Sequence, residues 1–146
     1  SMKPVTNDQN NMETRIRNFG NELLAPKEIT CTYVIDIQID NILADPLARK
    51  NILLIIKEAM NNIAKYSSAT EASVTIRERD KKLLLTVKDN GKGFEEDQHT
   101  AGNGIQNIQQ RCTDLKGSFH LQTATGQGVQ ISCEFPLPII SHNEQV

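Results

Sequence analysis

A chain of 146 residues is about one domain's worth, and at that size folding buries roughly 68–70% of the unfolded surface, enough for one real core. With 16 Lys and Arg against 18 Asp and Glu the net charge is −2 at pH 7, which argues against a chain whose main task is gripping nucleic acid. The longest apolar run, Ile52-Leu53-Leu54-Ile55-Ile56, falls far short of the ~20 residues that span a bilayer. Cys31, Cys112 and Cys133 form no Cys-x-x-Cys pair, which speaks against a zinc site. A reducing, cytoplasmic compartment fits them best, with Cys133 as a small buried hydrophobe. Ser1 ahead of Met2 reads as a tag remnant with no signal peptide behind it.

Residues 1–12 are polar and read as a disordered lead. Over 13–24, Ile16, Phe19, Leu23 and Leu24 recur at helical spacing, and Pro26 closes that helix. Residues 30–38 alternate Cys31, Tyr33, Ile35 and Ile37, the pattern of a strand. Asp45-Pro46 is a helix start, with Asp as cap and Pro at the first helical position, and nothing breaks the helix before about Tyr66. Strands at 72–79 and 82–88 follow, joined by a turn at Asp80-Lys81. Residues 89–104 are a Gly-rich polar stretch, longer than an ordinary connection. A helix over 105–116 carries Ile105, Ile108, Cys112 and Leu115 on one side, with Gly117 as its C′ residue. Strands at 118–123 and 128–135 end at Pro136 and Pro138, and 139–146 read as a loose tail. This order predicts a two-layer α/β (α+β) sandwich: a mixed, largely antiparallel sheet with helices on one face. Hairpins in place of alternating βαβ units argue against a Rossmann fold.

Four groups of residues carry chemistry. On the helix at 46–66, Glu58, Asn62 and Lys65 fall at i, i+4 and i+7 and are expected on one face. A carboxylate, an amide and an ammonium on one stripe suit a metal, a water and a phosphate; taken alone, the stripe is as readily a solvated face. Asp89-Asn90-Gly91-Lys92-Gly93-Phe94 leaves a strand end, and its glycines let backbone approach a ligand closely. A carboxylate there can accept from an exocyclic amine, or the segment is a plain Asn-Gly turn. Gly102-Asn103-Gly104 feeds a helix N-terminus, a setting for an anion or simply a capped helix. No Gly-x-x-x-x-Gly-Lys-Ser/Thr run is present, so this is not a P-loop. Gly126-Gln127-Gly128 alone reads as a hairpin turn.

In order and spacing the four groups resemble the GHKL ATPase family. They run Glu58-x-x-x-Asn62-x-x-Lys65-Tyr66, Asp89-x-Gly91-x-Gly93-Phe94, Gly102-x-Gly104-Ile105-x-Asn107-Ile108-x-x-Arg111 and Gly126-x-Gly128. The chain is most similar to the ATP-binding catalytic domain of bacterial sensor histidine kinases of the nitrate- and lipid-sensing type. The resemblance covers about Thr30 to Leu137, and it implies an ATP-binding domain over 29–138 with a Bergerat-type sheet. It implies that Asn62 binds Mg²⁺, that Glu58 orients a water or acts as base, and that Lys65 neutralises phosphate charge. Tyr66 holds a position often His or Tyr in the family. Asp89 is then the adenine-binding carboxylate, with Gly91 and Gly93 shaping the base pocket. Gly102, Gly104 and Ile105 would sit at the phosphates, and 94–103 would be a lid that nucleotide orders. One departure is Val129, where the family commonly carries a Thr that helps position the adenine-binding Asp.

The expected activity is that of a protein histidine kinase, holding Mg²⁺-ATP for phosphoryl transfer to a histidine outside this chain. None of His99, His120 and His142 falls on a helix as a phosphoacceptor would. Residues 13–28 are expected to be the end of an upstream dimerisation helix. The implied partners are ATP, the phosphoacceptor helix and, through a full-length homodimer, a response regulator; nucleic acid is not among them. A cytoplasmic part of a membrane-anchored sensor fits this picture. Two other readings stand beside it: a stand-alone serine kinase of the anti-sigma-factor type, and a degenerate interaction module that Val129 alone favours.

Overall fold

The computed structural model describes residues 11–94 and 104–139. The first helix, α1 (Met12–Leu23), is capped by Asn11, whose side chain accepts from the Thr14 N–H at 2.8 Å. A single 3₁₀ turn, Ala25–Lys27, holds Pro26 and delivers the chain to β1 (Thr30–Ile35). A short α2 (Ile39–Ile42) precedes α3 (Pro46–Asn62), which runs into a π-turn over Ile63–Ser67. Then come β2 (Glu71–Arg79), β3 (Lys82–Asp89), α4 (Gly104–Asp114), β4 (Ser118–Thr123) and β5 (Val129–Pro136).

The five strands form one mixed sheet in the order β1-β2-β3-β5-β4. Among the described strand pairs, β1–β2 alone is parallel. The β2–β3 hairpin turns at Asp80 and Lys81, both left-handed at φ 53° and 64°, as a two-residue turn matched to strand twist requires. Alternate residues of β2, β3 and β5, among them Val74, Ile76, Leu83, Leu85, Val87, Ile131, Cys133 and Phe135, are buried on one face. Onto that face pack α1, α3 and α4, the expected two-layer sandwich. Helix α3 contributes Ile52, Ile55, Ile56, Ala59 and Met60, and its start is as predicted: Asp45 accepts from the Ala48 N–H at 2.9 Å, with Pro46 first in the helix. Cys133 is a buried hydrophobe that touches Cys112 on α4.

Several local expectations are corrected. The first helix begins at Met12, which is buried, so that residue belongs to the core and not to the lead. Helix α1 packs against α3 and β1 as part of the same core. Gly20 makes that approach possible, because a Cβ there would collide with the Tyr33 hydroxyl. Strand β1 stops at Ile35, short of Gln38, because the Asp36 carboxylate accepts from the N–H groups of Gln38 (2.8 Å) and Glu78 (3.3 Å) and turns the chain into α2. Ile37 is consequently 89% exposed. Helix α4 ends at Asp114, and its left-handed C′ residue is Lys116 (φ 63°), not Gly117. The Lys116 N–H reaches the Thr113 carbonyl at 2.9 Å and the Gly117 N–H the Cys112 carbonyl at 2.8 Å, a Schellman closure. Gly117 is needed one place later, where a Cβ would lie 2.6 Å from the Phe135 ring.

The change that matters most for function is at the end of α3. The predicted helix to Tyr66 gives way at Asn62 to the π-turn, stopped by Ser68 in the left-handed region (φ 55°). The Ser67 hydroxyl donates to the Ile63 carbonyl at 2.7 Å and accepts from the Ala69 N–H at 3.0 Å. The wider turn rotates Lys65 and Tyr66 relative to Glu58 and Asn62, so the expected single stripe is broken.

Candidate functional site

A cavity of about 350 Å³ opens between the end of α3, the π-turn, the end of β3 and the start of α4. Its lining is mainly apolar, with Ala59, Ile63, Val87, Ile105 and Ile131 among the walls and a few polar groups converging on it. That is the usual composition of a small-molecule site.

One polar group is Asp89, the last residue of β3, only 4% exposed. Its carboxylate accepts from the Gly91 N–H at 2.7 Å and from the Val129 N–H. Burial pushes its carboxyl above the usual carboxylate range, and these two backbone donors partly restrain the rise. A carboxylate with two such donors keeps acceptor capacity for a further donor in the cavity.

The residues after Asp89 are fastened on both sides. Asn90 accepts from the N–H groups of Thr70 (2.9 Å) and Glu71 (3.0 Å) and donates to the Thr70 hydroxyl. The Lys92 N–H donates to the Ser67 carbonyl at 2.7 Å, while the Lys92 carbonyl accepts from the Gly126 N–H at 2.5 Å. Gly91 lies so close to the π-turn that a Cβ would stand 2.2 Å from the Ser67 carbonyl oxygen. Gly128 (φ 73°) meets the Asp89 carbonyl in the same way, so Gly126-Gln127-Gly128 is a packing partner of the Asp89 loop as well as a turn.

Asn62 faces this loop from the end of α3. Its Nδ2 is buried with no hydrogen-bond partner among the described residues. Gly104, first residue of α4, packs directly on it: a Cβ there would lie 2.6 Å from Asn62 Oδ1. Helices α3 and α4 are tied further back by Arg111, whose guanidinium donates to the Asn51 side chain at 3.1 Å.

Of the residues singled out in the sequence, Asn62, Tyr66, Asp89, Gly93 and Ile105 line the cavity. Gly91 and Gly104 press against its walls from behind. Glu58 is half-buried one turn earlier on α3, and Lys65 is exposed on the π-turn; neither is in the lining. Gly102, Asn103, His99, His142 and the rest of the expected lid beyond Phe94 lie outside the described residues. His120 is exposed on β4. Sequence reasoning missed the polar lining residues Ser67, Lys92 and Thr125 and the apolar walls Ala59, Ile63, Val87 and Ile131. Lys92 lies inside the Asp89 motif and could have been found there; Ser67 and Thr125 carry no local signal. Among the described residues no cluster of three or more His, Cys, Asp or Glu could hold a metal, and no helix is long and apolar enough to cross a membrane.

Comparison with known proteins agrees with this geometry. Residues 48–139, well over half of the chain, match the family described as histidine kinase-, DNA gyrase B- and HSP90-like ATPases. The chain is 32% identical over 84 residues to the sensor protein VraS of Staphylococcus aureus, covering 57% of this chain and 24% of that protein. It is equally similar to the sensor histidine kinase LiaS of Bacillus subtilis, covering 23% of it. The chain thus spans about a quarter of the length of these relatives. Among solved structures, the catalytic domain of histidine kinase ThkA superposes with a TM-score of 0.67 at 16% identity, covering 90% of this chain and 95% of that one. The histidine kinase domain of the Erythrobacter litoralis EL346 blue-light-activated kinase gives 0.67 at 15% identity, covering 84% and 59%. Family match and shared fold lead to one conclusion: the chain belongs to the histidine kinase-, DNA gyrase B- and HSP90-like ATPase family.

Proposed function

We propose that this domain holds Mg²⁺-ATP and serves as the ATP-binding catalytic part of a sensor histidine kinase, passing the γ-phosphoryl group to a histidine outside the chain. One observation carries the reading: a buried carboxylate, Asp89, and the side-chain amide of Asn62, whose Nδ2 is buried and unmatched among the described residues, stand at two walls of a single apolar cavity. The apolar walls accept the face of an aromatic base. Asp89 accepts from the exocyclic amine of adenine, which guanine does not offer at that position. Tyr66, 42% exposed at the rim, covers one side of the bound nucleotide.

The Asn62 side chain suits Mg²⁺ through its Oδ1, since an amide oxygen is a ligand of the right hardness, while its Nδ2, without a partner among the described residues, is left to donate to a phosphate oxygen or a water. Bound there, the ion would neutralise phosphate charge as the phosphoryl group leaves. Glu58 stands one helical turn back from Asn62, placed to act through a water, and Lys65, exposed on the π-turn, would reach phosphate oxygens at the rim. Gly104 and Ile105 begin α4, whose N-terminal dipole favours the phosphates. The chemistry asked of the domain is positioning and charge stabilisation. The nucleophile comes from the phosphoacceptor helix of the full-length protein, expected as a cytoplasmic homodimer that passes the group on to a response regulator. The sensor names of the relatives weigh for this over the serine-kinase reading.

Calorimetric titration tests the reading. Native chain should bind ATP in a Mg²⁺-dependent way and discriminate against GTP. Asn62→Ala should weaken Mg²⁺-ATP binding by about tenfold or more, the worth of at least one good interaction. No heat and no thermal stabilisation by millimolar ATP would overturn the proposal.

A further inference from the structure

The Gly93-Phe94 end of the Asp89 motif is held by a residue that the motif does not include. Thr123, the last residue of β4, accepts from the Phe94 N–H at 3.1 Å and donates from the same hydroxyl to the Gly128 carbonyl at 2.8 Å. Only a hydroxyl does both through one atom at this reach. Around this bond the chain leaves no slack. Gly93 is left-handed (φ 61°), and a Cβ on it would stand 2.2 Å from the Ala124 carbonyl oxygen, 2.8 Å from that of Gly128 and 3.0 Å from the Thr123 hydroxyl. One residue earlier, the Lys92 carbonyl takes the Gly126 N–H. Gly93 and Phe94 line the cavity, and so do Thr125 and Val129 on the other side of the tie. Thr123 is also paired across the sheet with Val129, which is paired in turn with Asp89. One row of the sheet therefore runs from the buried carboxylate to the hydroxyl.

We infer that Thr123 is a positioning residue for the nucleotide: its hydroxyl fixes Gly93 and Phe94 against the β4–β5 turn and so sets that wall of the cavity. The inference rests on the Mg²⁺-ATP reading of the cavity. It also bears on Val129. The hydroxyl missing from β5 is present one strand further out, and there it is spent on the loop and not on the carboxylate.

The test pairs Mg²⁺-ATP titration with amide exchange at Phe94. Thr123→Val keeps the shape and removes both hydrogen bonds. It should weaken Mg²⁺-ATP binding about tenfold, the equivalent of one hydrogen bond at ~1.4 kcal/mol. It should also make the Phe94 amide exchange faster. Thr123→Ser, which keeps the hydroxyl, should bind as native and protect Phe94 as native. A purely structural role would lower the melting temperature of the Val variant while leaving its affinity unmoved. Thr123→Val binding as tightly as native overturns the inference and leaves the Mg²⁺-ATP reading standing; native chain that binds no ATP overturns that reading first. Should the Val variant not fold, the native chain still decides: a Phe94 amide exchanging as fast as an unprotected peptide would mean that the tie is absent.

Discussion

Along the wall that the Asp89 loop forms, the backbone N–H groups of Asn90, Gly91, Lys92 and Phe94 all have partners within the protein. Across the cavity, the wall formed by α3 and the π-turn leaves the Nδ2 of Asn62 buried and unmatched among the described residues. An unmatched buried amide costs about 1–3 kcal/mol, whereas a matched backbone is neutral to favourable. The difference teaches which side is built before a ligand arrives. The backbone on the carboxylate side is matched by folding, while the Asn62 side carries an unmatched donor whose cost an acceptor on the ligand, such as a phosphate oxygen, would relieve.

The strongest way to break the comparison is to deform the finished wall. Gly91→Ala places a methyl 2.2 Å from the Ser67 carbonyl oxygen, and backbone on both sides must move apart. The expected loss is about 2–3 kcal/mol, and at ~2–4 °C per kcal/mol for a chain of this size the melting temperature should fall by roughly 5–10 °C. Asn62→Ala, on the other wall, should leave the ATP-free melting temperature unchanged or slightly raised while Mg²⁺-ATP binding weakens by about tenfold or more. Thermal denaturation of the two variants without nucleotide checks the contrast directly.

Asp89 sharpens it further. Its carboxyl is raised by burial, against the help of the Gly91 and Val129 N–H groups. The folded chain therefore holds this proton more tightly than the unfolded chain does. In the window between the ordinary carboxylate value and the raised one, the folded state binds more protons, so stability falls as pH rises. The contribution is fully present below the ordinary value and is lost as pH climbs through the raised one. Asp89→Asn has no such proton. Without ATP, native chain should gain melting temperature relative to Asp89→Asn as pH is lowered from 7 toward 4, and a difference that does not change with pH would contradict a buried ionised carboxylate. At pH 7 the variant should lose ATP affinity by roughly 10–150-fold, as expected for a charged hydrogen bond of ~1.5–3 kcal/mol, together with its preference over GTP.

Much of the finished wall is legible in the sequence, because strand alternation ends at Asp89 and the glycines follow at once. The same alternation places Val87 and Ile131 on the cavity side. The other wall is not so legible. A π-turn differs from an α-helix by one residue per hydrogen bond, and Ile63-Ala64-Lys65-Tyr66-Ser67 has no Gly or Pro to announce it. A uniform helical spacing therefore put Lys65 on the Asn62 stripe. The ties made by Ser67 and Thr123 were invisible for another reason: they join residues 25 and 29 positions apart through single atoms, with no periodic trace. Lys116 in place of Gly117 shows the same limit, since a left-handed C′ position favours Gly without requiring it.

The smallest expected effect concerns Val129. Its backbone already serves the carboxylate, because the Val129 N–H donates to Asp89, and that bond does not depend on the side chain. What Val lacks is only the family hydroxyl. Its side chain shares the cavity wall with Val87 and Ile131, so a hydroxyl placed there enters apolar surroundings and gains only what it recovers by bonding. Val129→Thr should therefore tighten ATP binding by tenfold at most, the ~0.5–1.5 kcal/mol of one net hydrogen bond, with the ATP-free melting temperature lowered slightly. Weaker binding would mean that the wall tolerates no polar atom beside Asp89, and that the backbone bond from Val129 is all the carboxylate needs on that side. A tightening of the expected size would instead mean that the finished wall has room for one more donor, and that the natural chain binds ATP below the affinity its fold can reach.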